Sequence, residues 1–189
     1  MVALARAVLG GGADMLQLRH KTLPRGELLE LAHRLRALTS AAGALFVVND
    51  HVDIALAAGA DGVHLGPDDL PIASARRMVP AGFLVGASAS DPQSARSAVS
   101  AGADYIGCGP AFSTPVKKEK AVIGPVGVAT VASSVEVPVF AIGGIDESNL
   151  GQLTRLGLDR VCVIRGVADA ANPESVARRL RAMLDSAAT

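Results

Sequence analysis

The chain has 189 residues, half of them hydrophobic and 3% aromatic, with 20 glycines. That length allows a sizeable core, and the composition reads as one α/β domain over 1–189 rather than a β-sandwich or a disordered segment. Eighteen basic residues balance eighteen acidic ones, so no basic surplus draws nucleic acid, although a local cluster of cations for a phosphorylated ligand is not excluded.

Residues 1–12 are apolar but lack the basic start and cleavage site of a signal peptide, and read as a surface helix. No apolar run reaches the ~20 residues of a membrane span. With Cys108 and Cys162 both in apolar runs, as free thiols of a reducing compartment, the expectation is a cytoplasmic protein without a membrane partner.

Gly12-Ala13-Asp14 then leads into the apolar run 15–18, and the same unit recurs three times. Gly59-Ala60-Asp61 precedes 62–65, Gly102-Ala103-Asp104 precedes 105–108, and Gly157-Leu158-Asp159 precedes 160–164. Gly accepts the left-handed conformation that ends a helix, and each following run is short enough to be a strand buried on both faces. Runs 45–48, 83–86 and 139–142 complete seven strands. Between the first two, 25–39 sets Leu28, Leu31, Leu35 and Leu38 on one helical face. Asp91-Pro92 and Asn172-Pro173 each pair an N-cap residue with Pro at the first helical position. Strict alternation of helix and buried strand implies a parallel sheet. There is no G-x-G-x-x-G after the first strand, as an open nucleotide-binding fold would favour. The expected architecture is therefore a (β/α)8 TIM barrel type that starts in its first helix and lacks the first strand.

In such a barrel the chemistry sits where strands end at their C-terminal side. After the first strand, alternation puts Gln17, Arg19 and Lys21 on one side, an amide and two cations suited to a polyphosphate. A solvated basic loop is the plainer alternative. Asn49-Asp50 and Gly66-Pro67-Asp68-Asp69 follow the next two strands. Asp50 and Asp69 can approach each other as a Mg²⁺ site facing phosphates, or can simply be helix caps. His33, His51 and His64 have no metal-ligand spacing. His64 reads as a satisfied core or mouth residue, and no histidine is assigned to catalysis. Ser88 can bond a phosphate or an amine, or cap the next turn. The loop 109–120 is long for its type, and its Thr114 and Lys117 can bind phosphate or lie in a solvated charged lid. Gly143-Gly144 and Arg165-Gly166 follow the last two strands, where barrels of this kind recurrently hold phosphate.

QLRHK (17–21), VND (48–50), ADGVHLGPDDLP (60–71), GAS (86–88), YIGCGPAFSTPVK (105–117) and FAIGGI (140–145) stand in an order and spacing that resembles the thiamine phosphate synthase family over nearly the whole chain. The resemblance implies condensation of a hydroxymethylpyrimidine diphosphate with a thiazole phosphate, giving thiamine phosphate and pyrophosphate. It implies that Gln17, Arg19, Lys21, Asn49, Ser88 and Lys117 bind the pyrimidine diphosphate, with Arg19, Ser88 and Lys117 nearest the chemistry. Asp50 and Asp69 would hold Mg²⁺, and Thr114, Gly144, Ile164 and Arg165 would surround the thiazole phosphate. The family's first strand is missing, Val116 replaces a threonine, Ser90 a histidine, Arg165 the commonest serine and Pro67 a common glutamine. Two rival readings follow: a related thiazole tautomerase, whose members tend to lose the acidic pair, and a truncated, non-catalytic phosphate-binding barrel. The open barrel edge makes a homodimer plausible.

Overall fold

In the computed structural model, residues 1–113 and 121–187 are described. Seven parallel strands run in chain order: β1 (Met15–Leu18), β2 (Leu45–Asn49), β3 (Gly62–Leu65), β4 (Leu84–Ala89), β5 (Tyr105–Cys108), β6 (Val139–Ile142) and β7 (Val161–Cys162). Each pairs only with its neighbours in sequence, and among the described residues β1 and β7 are not bonded to each other. The sheet is thus a curled, seven-stranded open barrel with β1 and β7 as its edges.

Nine helices are described: α1 (Val2–Gly10), α2 (Arg25–Ala42), α3 (Val52–Ala57), α4 (Ile72–Met78), α5 (Pro92–Ser100), α6 (Gly124–Ala132), α7 (Leu150–Thr154), α8 (Arg165–Ala168) and α9 (Pro173–Ala187). None is long and apolar enough to cross a membrane among the described residues. Strand alternation turns every second side chain outward against the helices, where two core clusters form. Leu18, Phe46, Val48, Val63, Leu65 and Val85 face outward and pack with Leu28, Ala32 and Leu35 of α2 and with Ala55 and Ala75. Ile106, Cys108 and Ala141 do the same on the far side, against Val128, Val131, Leu150 and Leu153. The alternate positions point into the barrel.

Two copies of the recurring unit, at Asp61 and Asp104, are strand clamps. The unit's glycines 12, 59, 102 and 157 all have positive φ, as a helix-ending residue requires. Asp61 accepts the Phe46 N–H at 2.7 Å and the Arg36 guanidinium at 2.7 Å, tying the start of β3 to β2. Asp104 accepts the Val85 N–H at 2.7 Å and is bridged by Arg76, tying β5 to β4 in the same way. Each carboxylate thus satisfies an N–H at a strand entrance that the ladder leaves over.

The helical layer closes where the strands do not. α1 lies against α9: Arg181 bonds Asp14 at 2.6 Å, and Arg178 reaches the Gly10 carbonyl at 3.4 Å. Gly11 is the crossing point, since a Cβ there would lie 2.6 Å from both Ala177 Cβ and the Glu174 carbonyl oxygen.

Three boundaries differ from expectation. β4 begins at Leu84 and continues through Ser88 to Ala89, because its pairing with β5 extends that far. β7 ends at Cys162, and 165–168 form the short helix α8 instead of following a strand that reaches 164. The helix from 25 extends to Ala42, where Gly43 stops it with φ 67°. Asp91 caps α5 with a reciprocal capping box, and Asn172 accepts the Ser175 N–H at 3.0 Å at the start of α9, both as expected.

Candidate active site

The C-terminal ends of β1, β2 and β3 bring four of the expected residues together. Lys21 Nζ lies 3.0 Å from Asp50 Oδ2, and the Asp50 and Asp69 carboxyls are hydrogen-bonded to each other. Asp69 also accepts the Gly66 N–H at 2.7 Å. Burial raises the Asp69 pKa, and the neighbouring Asp50 carboxylate raises it further. Burial acts in the same sense on Asp50. There the hydrogen bond from Asp69 and the charges of Lys21 and Arg19 outweigh it, and its carboxyl lies below the ordinary value. The two carboxyls are therefore close enough for each to act on the ionisation of the other.

Neither aspartate caps a helix. The N-cap of α3 is His51 and that of α4 is Pro71. Asp50 instead sits at the centre of a three-residue turn closed by the His51 N–H on the Asn49 carbonyl at 2.9 Å, with φ 68°. That conformation is rare outside glycine, and Asp and Asn are among the side chains that adopt it most readily. The turn lifts the Asp50 carboxylate off the end of β2 towards β3, whose His64 carbonyl accepts the Asp50 N–H at 2.9 Å.

Gln17 and Asn49 occupy inward positions of β1 and β2. Gln17 is in register with the fully buried Val47, and the buried Asn49 with His64. Arg19 is exposed, yet near enough to Asp50 to lower its pKa. Ser88 faces the barrel interior on β4. Its hydroxyl is not a cap: His64 Nε2 lies 2.9 Å from Ser88 Oγ, and His64 Nδ1 lies 3.2 Å from the Tyr105 hydroxyl. Tyr105 in turn meets Phe140 edge-on, with ring centroids 5.5 Å apart. Room for these rings comes from glycines on the neighbouring strands. A Cβ on Gly86 would overlap the Tyr105 ring, and one on Gly107 would lie 3.0 Å from His64 Cε1.

A second group forms at β6 and β7. Gly143 and Gly144 have φ 95° and 66°, and a Cβ on Gly144 would meet the Ser113 carbonyl at 2.5 Å. The Asn149 side chain holds this turn, donating to the Gly144 carbonyl at 2.8 Å and accepting the Asp146 N–H at 3.0 Å. Gly166 approaches the Ile145 carbonyl so closely that a Cβ would lie 2.7 Å from it, which brings 164–166 beside the glycine turn. Ile164 is 58% exposed, and Arg165 is exposed and paired with Asp169 at 2.7 Å. Thr114 and Lys117 lie outside the described residues.

Sequence reasoning passed over three contributors. His64 was read as a satisfied core or mouth residue; it is satisfied, but by the inward-facing Ser88 and Tyr105. The signal for the His64–Tyr105 pair is present in the glycines at 86 and 107, which leave space on β4 and β5. Asn149 was marked only by the local Asp146-Glu-Ser-Asn149 pattern, which is common to many turns.

A family model described as thiamine monophosphate synthase matches residues 1–167. A thiamine-phosphate synthase of Methanoculleus marisnigri is 45% identical over 179 residues, covering 94% of this chain and 85% of that protein. One from Gloeobacter violaceus is 44% identical over 173 residues, 92% of this chain and 51% of the relative, so the chain spans about half the length of that protein. A solved thiamine phosphate pyrophosphorylase from Pyrococcus furiosus superposes with a TM-score of 0.93 at 39% identity, covering all of this chain and 91% of its own. A 3-hexulose-6-phosphate synthase, 18% identical with a TM-score of 0.71 over 96% of this chain and 93% of its own, shares the barrel architecture alone. By its motifs, its fold and these matches, the chain belongs to the thiamine monophosphate synthase family.

Proposed function

We propose that this chain condenses 4-amino-2-methyl-5-(diphosphooxymethyl)pyrimidine with thiazole phosphate, forming thiamine phosphate and pyrophosphate. The carrying observation is the adjacent carboxyl pair Asp50–Asp69, with Lys21 3.0 Å from Asp50, at the mouth of β1 to β3. Two neighbouring carboxyls suit a small dication that takes few protein oxygens and completes its shell with water and phosphate. Asp50 and Asp69 would hold Mg²⁺ there. When bound, the ion supplies positive charge against a leaving diphosphate.

The rest of the work falls to the chain's own groups. The C–O bond between the pyrimidine methylene and the diphosphate breaks, and both electrons leave with the diphosphate. The electron-rich aminopyrimidine stabilises the methylene cation, and the thiazole nitrogen lone pair forms the new C–N bond. No protein nucleophile is needed, so catalysis is positioning and electrostatics. In this reading Arg19, Lys21 and Lys117 neutralise the diphosphate, while Gln17 and Asn49, at inward strand positions, orient the pyrimidine. Ser88 bonds a diphosphate oxygen. Thr114, Gly144, Ile164 and Arg165 bound the thiazole phosphate. The doubly left-handed Gly143-Gly144 turn supports that placement, since it leaves backbone amides open to an oxyanion.

The test is pyrophosphate release by purified protein given both substrates and Mg²⁺, with an EDTA control. Metal-dependent release that needs both substrates supports the synthase. A folded protein that releases none, yet isomerises the thiazole, is a tautomerase; one that binds phosphate without any turnover is a non-catalytic barrel.

A further inference from the structure

The inside of the barrel carries a polar chain that the proposed reaction does not itself call for. Tyr105 is 6% exposed and His64 7% exposed, on strands separated by β4. Their ring atoms meet across Gly86, and His64 then reaches Ser88 on the intervening strand. We infer that Tyr105 and His64 are positioning residues that fix the Ser88 hydroxyl as a hydrogen-bond donor towards a bound phosphate oxygen. This rests on the synthase reading only for the identity of that phosphate.

The direction of the chain follows from counting donors. Among the described residues, the hydrogen-bond partner of the Tyr105 hydroxyl is His64 Nδ1. A buried hydroxyl with a single partner is better satisfied when it donates, because an unmade O–H bond strands a desolvated donor whereas spare lone pairs cost less. Burial also raises the Tyr105 pKa well above the ordinary phenol value, so the proton stays on oxygen. Tyr105 O–H therefore donates to Nδ1, which leaves the neutral imidazole protonated at Nε2. Nε2–H donates to Ser88 Oγ at 2.9 Å. The Ser88 proton is then not taken up by His64 and is directed away from it, at the half-exposed end of β4. With the opposite polarity Ser88 would spend its proton on His64 and present only lone pairs, which repel a phosphate oxygen. Tyr105 thus acts on the ligand through two hydrogen bonds without touching it.

Two measurements test this. In protein labelled with ¹⁵N-histidine, the His64 ring nitrogens report the tautomer: Nε2–H is expected, and Nδ1–H or a doubly protonated ring overturns the chain. Calorimetric titration of inorganic pyrophosphate with Mg²⁺ into the wild type, Ser88→Ala, Tyr105→Phe and the double variant gives the coupling. Each single variant is expected to weaken binding about fivefold, the scale of one lost hydrogen bond. The double variant is expected to bind no more weakly than Ser88→Ala. Independent, multiplicative losses overturn the proposal, as does a Tyr105→Phe protein that binds like wild type or a wild type that does not bind pyrophosphate. Absence of pyrophosphate release with the tautomer and coupling intact would instead reject the synthase reading and leave the Ser88 device standing.

Discussion

Gly86 and Tyr105 occupy one another's space: the two residues are register partners on adjacent strands, and the tyrosine ring lies where any β-carbon on Gly86 would project. The ring reaches His64 only because position 86 carries no side chain. Gly86→Ala is therefore expected to force the ring aside and to cost about 1–3 kcal/mol, the usual penalty of overpacking a core. Gly26 in α2 has nothing within 4 Å of its would-be β-carbon, so Gly26→Ala is expected to be neutral or to stabilise by up to about 1 kcal/mol. Urea unfolding of the two variants should move the midpoint in opposite directions, or leave it unmoved in the second.

Asp50→Asn tests the metal assignment without disturbing the backbone. Asparagine tolerates the left-handed conformation that Asp50 adopts at φ 68°, so the substitution removes charge while keeping the turn. Mg²⁺-dependent turnover is expected to fall on the order of 10²-fold or more, with an unchanged circular dichroism spectrum. Undiminished activity would remove Asp50 from the metal site.

Lys117→Ala separates the two substrates. If Lys117 handles the diphosphate, the KM for the pyrimidine diphosphate should rise by roughly tenfold, as expected for a charge-assisted contact. The KM for thiazole phosphate should change little. Equal affinity of wild type and variant for the pyrimidine diphosphate would assign Lys117 to the solvent.

Gly11→Val tests the α1–α9 closure. Branching at a position already 2.6 Å from Ala177 Cβ must push the helices apart. A loss of about 1–3 kcal/mol is expected, with hydrogen exchange accelerated first in α1 and least in β3 and β4.

The strands and the Gly-Ala-Asp rhythm were readable from the chain because each is a local pattern with a local cause. The left-handed glycines end helices, and the apolar runs have no polar face to spare. The carboxylate clamps of Asp61 and Asp104 were only half legible: the aspartates were visible, but their partners Phe46 and Val85 are backbone groups 15 and 19 residues away. At the site, the likeness of QLRHK and VND to known motifs marked Lys21 and Asp50, but pattern alone favoured a cap over a metal ligand for Asp50. The turn at Asn49–His51 removes the cap, and nothing in composition announces a positive φ at a non-glycine residue. Ser88 was legible as the end of its strand, and β4 runs one residue further, to Ala89, through its pairing with Cys108.

Because α1 is held by α9, the first helix is fastened by residues some 170 positions further along the chain. In a protein made from its N-terminus, that helix leaves the ribosome long before its partner exists. The outer layer therefore closes there only once α9 has followed, and shortening α9 should release α1 before it disturbs the middle strands.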